Sequence, residues 1–221
     1  MLSNMRKGIN PTDEQIKALR TGKVEPVLLA LVAFRREIFA IENRYGEQIT
    51  ALDVAEIGKA SGLATPASRE QIRAKMSSAS YLVRKYRSDN LAALRQAESA
   101  ISTAYASIPG LGKDWPEEQA RAPMKRRRAF LEVYVPLEME RQTLTLAIVQ
   151  LLDDNARNVG LSDGPEPHLV FSDAPVLAQF RSLVDRLREV SARLLDVIPK
   201  PADEASSAPP MPERATSQPS P

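Results

Sequence analysis

One histidine and no cysteine stand among the 221 residues, and these two counts exclude much of the chemistry that helical proteins carry. Helical bundles hold metal pairs through Glu-x-x-His motifs on facing helices. His168, in the stretch PEPH, has no second imidazole to complete such a site. Without a thiol there is no disulfide, thiolate nucleophile or Cys-ligated zinc. Serine hydrolysis needs His168 beside an activated serine, and no G-x-S-x-G elbow is present. His168 is expected to be exposed or locally hydrogen-bonded. The expected protein is not an enzyme and takes no metal or cofactor.

Two short stretches imitate ligand loops. GLGK at Gly110 to Lys113 has Ser107 where a phosphate loop needs its first glycine, and Asp114 where Ser or Thr should follow. DDNARNVG, from Asp153, has Asn158 at the calcium loop's glycine position and Gly164 at its bidentate glutamate position. Glu138 and Glu140 lie on different faces of one helix and read as solvated surface.

Two further stretches could bind a partner. KRRR, Lys125, Arg126, Arg127 and Arg128, sits on a helix, where consecutive residues fan about 100° apart and wrap the cylinder. Ion pairs to Glu98 or Glu132 are the plain expectation, and contact with phosphate, anionic lipid or an acidic protein is the functional one. VAEIGKASGLATPASREQI, residues 54–72, resembles the helix-turn-helix of bacterial regulators, with Ile57 and Gly58 in the first helix and Gly62 in the turn. The resemblance implies that the second helix enters the major groove, with Ser68, Arg69 and Gln71 facing DNA.

Composition makes neither nucleic acid nor a membrane span the expectation for the chain as a whole. Thirty basic and 28 acidic side chains leave a net charge of +2. The most apolar run, Pro26 to Phe34, is about half the roughly 20 residues that span a bilayer, and Arg35 and Arg36 close it. MLSNMRKGIN lacks the apolar core of a signal peptide, so a cytoplasmic location is expected, or a periplasmic or lipid-anchored one if the true start lies upstream.

The helices that must position these residues follow from periodicity. With 43% hydrophobic, 26% charged and only 5% aromatic residues, the composition favours Ala, Leu, Arg and Glu helices in an all-α fold. A short first helix begins at a Thr12–Gln15 capping box, uses Ile16 and Leu19, and stops at Gly22. The next runs from Pro26 to Tyr45, ending before Gly46. It buries Val27, Leu31, Phe34, Ile38, Ile41 and Tyr45, with Leu28, Val32 and Phe39 widening that face. Residues 48–63 read as a shorter helix.

A long antiparallel hairpin organises the rest. Thr65 caps its first arm, Pro66 to Ser107, whose stripe is Ile72, Met76, Ala79, Val83, Tyr86, Asn90, Leu94, Ala97, Ile101, Tyr105 and Ile108. At about 1.5 Å per residue this arm is roughly 60 Å long. Pro109, Gly110 and Gly112 make the turn, Asp114 caps the second arm, and that arm runs from Pro116 to Val159. Phe130, Val133, Leu137, Leu144, Ile148 and Leu151 form its expected inner face, while Leu131, Tyr134 and Val135 are expected outside, available to a homodimer. Pro136 removes a backbone bond to the Glu132 carbonyl, and Ser88 or Asn90, opposite it, is expected to satisfy that carbonyl at a bend.

HLVF, within residues 168–171, reads as a short extended segment. Asp173 caps a last helix that buries Leu177, Phe180, Val184, Leu187, Ser191, Leu194 and Ile198. The expected organisation is residues 1–23 as a short helix and linker, 24–198 as an elongated helical bundle, and 199–221 as a disordered Pro/Ala/Ser-rich tail. The expected function is non-enzymatic: a helical interaction or adaptor protein with an unknown protein partner. DNA regulation through residues 54–72 and peripheral attachment to a membrane surface are the alternatives.

Overall fold

The computed structural model describes residues 13–18, 22–53, 60–163 and 167–198. Thr12, Leu19, residues 54–59 of the regulator-like stretch and the tail at 199–221 lie outside the described residues. The helices are α1 (Asp13–Ala18), α2 (Glu25–Ala51), α3 (Ala60–Ala64), α4 (Pro66–Ser107), α5 (Leu111–Asp114), α6 (Glu117–Asp154) and α7 (Ala174–Val197). A 3-10 turn spans Gly22–Val24, and the strands β1 (Val159–Leu161) and β2 (Leu169–Phe171) pair antiparallel with Gly160 opposite Val170. The fold is all-α apart from this small sheet. No described helix is long and apolar enough to cross a membrane.

Two compact units divide the described chain. The first draws on the described residues up to 39 and on 91–128, the second on the described residues within 40–90 and 129–198, and α2, α4 and α6 contribute to both. In the first unit Val27, Val32 and Phe34 from α2 are buried, as are Leu94 and Ile101 from α4 and Met124 from α6. Gly110 makes the turn after α4 with φ +79°, a conformation that L side chains rarely adopt. Leu111 and Trp115 then fold under the turn, and Tyr105 Oη donates to the Trp115 carbonyl at 2.7 Å. Lys23 Nζ donates to the Pro109 carbonyl at 3.3 Å, and Arg36 pairs with Asp13 at 2.7 Å.

The second unit has two apolar clusters. One joins Leu63 of α3, Ile72, Met76 and Ala79 of α4, and Ile148, Val149 and Leu152 of α6. Phe171 and Phe180 pack against it with their rings 4.9 Å apart, which seats the sheet on the helices. The other joins Leu137 and Leu144 of α6 to Val190 and Leu194 of α7. Fully burying one such side chain stabilises by about 1.5–3 kcal/mol, so these clusters dominate the packing of this unit.

Caps form at two of the expected sites, Thr65 and Asp173. Ser68 N donates to Thr65 Oγ1 at 3.1 Å while Thr65 N donates to Ser68 Oγ at 3.2 Å, a reciprocal box that starts α4. Val176 N donates to Asp173 Oδ1 at 3.3 Å at the start of α7. From Ile72 to Ile101 every position of the expected α4 stripe is buried, and Tyr105 and Ile108 are part-buried.

Several boundaries and faces differ from the sequence expectation. α2 does not stop before Gly46 but continues to Ala51. A helix interior tolerates glycine at a cost of about 1 kcal/mol relative to alanine, and flanking Tyr45 and Ile49, both partly buried, offset it. The second arm ends at Asp154, so Val159 lies in β1. Asp114 closes the short α5 and does not cap α6.

Along α6, Val133 is 47% exposed, whereas Leu131 and Val135 are buried and Tyr134 packs among aromatic rings. These three are therefore not an outward dimer patch. α6 packs on more than one side and so has two inward rows, one through Leu131, Val135, Glu138, Gln142 and Thr145 and one through Leu137 and Leu144. Reading a single row misplaces both. Phe39, expected to widen the α2 core, is 56% exposed.

Candidate functional site

In the second unit α2, α4 and α6 meet in a seam of aromatic and polar side chains. Tyr45 of α2 lies over Tyr86 of α4 with ring centroids 4.5 Å apart, and Tyr86 meets Tyr134 of α6 edge-on at 5.9 Å. Phe130 stacks on Tyr134 at 5.1 Å. Such pairs contribute about 0.5–1.5 kcal/mol beyond their burial. Tyr134 Oη donates to Tyr45 Oη at 3.3 Å, tying α6 to α2.

One turn further along α6 the seam becomes charged. Glu138, expected on a solvated surface, is only 4% exposed. Its Oε1 accepts from Arg141 Nη2 at 2.6 Å and from Gln142 Nε2 at 3.3 Å, and Ser80 Oγ of α4 donates to Gln142 Oε1 at 2.6 Å. A buried carboxylate is tolerable only with such partners. Burial pushes the Tyr45 phenol well above its ordinary value, and Tyr134 and Glu138 push it further in the same direction. Burial opposes the charge on Arg141, but its hydrogen bond to Glu138 together with the negative charge of that carboxylate and the nearby tyrosines raises that guanidinium. The carboxylate is thus held by partners on its own helix, and Gln142 carries the network on to Ser80 of α4.

Beside this seam the end of α2, with Leu52 just after it, and α4 leave a shallow, open groove of about 460 Å³, lined by Gln48, Ala51 and Leu52 on one side and Ser77, Ser78, Tyr81 and Leu82 on the other. Tyr81 is 61% exposed at its edge. A much smaller hollow of about 10 Å³, bounded by Ile41, Arg44, Tyr45, Lys85 and Tyr86 among others, lies further along the same pair of helices.

The sequence-derived candidates fall elsewhere. Arg128 pairs with Glu98 across the hairpin at 2.9 Å, the expected partner, and Lys125 pairs with Glu118 at 3.1 Å. Arg126 and Arg127 also have partners. The KRRR segment is therefore engaged in ion pairs at Lys125 and Arg128. Ser88 and Pro136 are exposed, Asn90 is fully buried, and the Asn90 amide nitrogen donates to the Tyr86 carbonyl of its own helix at 2.7 Å. α6 stays helical through Pro136.

Arg69, which the regulator resemblance places against DNA, is 3% exposed and donates through Nε to Asp153. Its Nη1 holds the carbonyls of Leu63 and Ala64 at 2.9 and 3.2 Å. This corrects the expectation: the guanidinium faces the protein because it closes the end of α3 against α6. Ser68 is taken up by the Thr65 cap, and Gln71 is exposed.

His168 is exposed, and its Nδ1 lies 2.8 Å from Ser162 Oγ, while His168 N donates to that same oxygen at 3.0 Å. This pair closes the mouth of the hairpin. No group of three or more potential metal ligands occurs among the described residues.

Sequence reasoning found Tyr45, Tyr86 and Asn90 as core positions but not the seam or the groove. The one available signal was the polar run Glu138, Gln142, Thr145, spaced 4 and 3 apart on an otherwise inward row. No family model, curated protein or solved structure matches the chain.

Proposed function

We propose that the protein is a non-enzymatic helical interaction protein whose α2–α4 groove receives a helix of a protein partner. The groove itself carries this reading. A space of about 460 Å³ with Leu52 and Leu82 in its lining and a largely exposed tyrosine at its edge suits an apolar anchor residue. Two helices running side by side also present the ridges into which a third helix packs. The buried charges nearby are paired within the fold, which supports a scaffold role for them.

Amine-reactive crosslinking in lysate, with mass mapping of the joined peptides, tests the reading. Lys75 and Lys85 on α4 flank the groove, and Lys113 and Lys125 lie far from it in sequence. Intermolecular links to one partner concentrated at Lys75 and Lys85 are expected. Links spread evenly over all four lysines would overturn it, and links to a second copy of the chain would make the partner a homodimer.

A further inference from the structure

The part of α2 that belongs to the second unit, residues 40–51, is packed far more lightly than the helices beneath it. Of these residues only Ile41 is buried, at 2% exposure, and Glu42, Tyr45 and Ile49 are part-buried. The remainder, including Arg44, Gly46 and Gln48, is exposed. On α4, by contrast, Ala79, Val83, Tyr86 and Asn90 are all buried. Two hollows lie along the α2–α4 contact. One polar tie is the 3.3 Å contact between the hydroxyls of Tyr45 and Tyr134. Gly46 sits mid-segment, where glycine weakens a helix and an added methyl group would meet nothing within 4 Å.

We infer that residues 40–51 of α2 form a latch that lifts from α4 and α6 while the rest of the second unit stays folded. Opening exposes the Tyr86 ring and widens the groove on its Leu82 side, and so admits the partner helix, a consequence that rests on the proposed interaction role. The latch itself does not depend on that role. Local opening is governed in part by how little apolar surface a segment buries, and residues 40–51 bury only Ile41 fully.

Native-state amide hydrogen exchange on the full chain tests the latch. Amides of residues 44–51 are expected to exchange on the order of 100-fold faster than those of residues 79–90. Gly46→Ala places a methyl group in open space, so it should slow exchange of residues 44–51 by about 5-fold and leave residues 79–90 unchanged. Exchange of the two segments at one common rate, or a Gly46→Ala effect of equal size on both, would overturn the inference. Loss of partner crosslinking with the exchange pattern intact would overturn only the interaction role.

Discussion

Arg69 and Asp153 join the first turn of α4 to the last turn of α6, and Arg69 is the more deeply buried partner, with its side chain 4% exposed against 23% for Asp153. Asp153 also accepts from Arg73. One carboxylate thus neutralises a buried guanidinium that in turn holds two carbonyls at the end of α3.

Removing the anion should therefore cost more than removing the cation's charge with its bulk retained. Asp153→Ala leaves Arg69 buried without its counter-charge and should lose about 3 kcal/mol of unfolding free energy in urea titration. Arg69→Met should lose clearly less. Equal losses would show that the pair is not the anchor described.

Acid should release the same clamp. Burial alone would raise the Asp153 carboxyl, but the hydrogen bonds from Arg69 and Arg73 lower it below the ordinary carboxylate value. A group depressed on folding contributes stability above its unfolded pKa, about 3.9, and loses it as pH falls through the folded value. The urea midpoint of the wild type should fall between about pH 5 and 2 more steeply than that of Asp153→Asn.

Alkali should act on the tyrosine seam with the opposite sign. Burial holds the Tyr45 phenol far above its ordinary value, so its contribution is complete below the unfolded pKa of about 10 and declines as pH rises beyond it. Tyr45→Phe should abolish that component of alkaline destabilisation. A midpoint that falls equally in the variant above pH 10 would locate the effect elsewhere.

The α6 rows make a mutational prediction that separates the observed register from the one expected from periodicity. Leu131→Ala should cost about 2–5 kcal/mol, as for a truncated core leucine, because Leu131 is 3% exposed. Val133→Ser, at a 47% exposed position, should stay within about 0.5 kcal/mol. Thermal unfolding of both variants checks it.

Periodicity was informative where a helix buries one clean stripe. The α4 row from Ile72 to Ile101 and the caps at Thr65 and Asp173 could be read from residue types alone, because local hydrogen bonding and 3.6-residue spacing determine them. α6 defeated the same reading. Glu138, Gln142 and Thr145 occupy an inward row and become acceptable there only through Ser80 and Arg141, partners that a hydrophobic pattern does not register. The seam joins Tyr45 to Tyr134, 89 residues away in sequence, and the groove is lined in part by Ser77, Ser78 and Gln48, which look like ordinary surface. Arg69 shows the reverse case, a cation that reads as available until its burial is seen.

Site-specific photo-crosslinking in the native host shows whether the α2–α4 groove is the contact surface. A benzophenone amino acid replacing Tyr81 at the groove edge should give a discrete adduct with one protein, whereas the same group replacing exposed Arg87, further along α4, should give little or none. Adducts of equal yield from both positions, or none from position 81, would contradict the account.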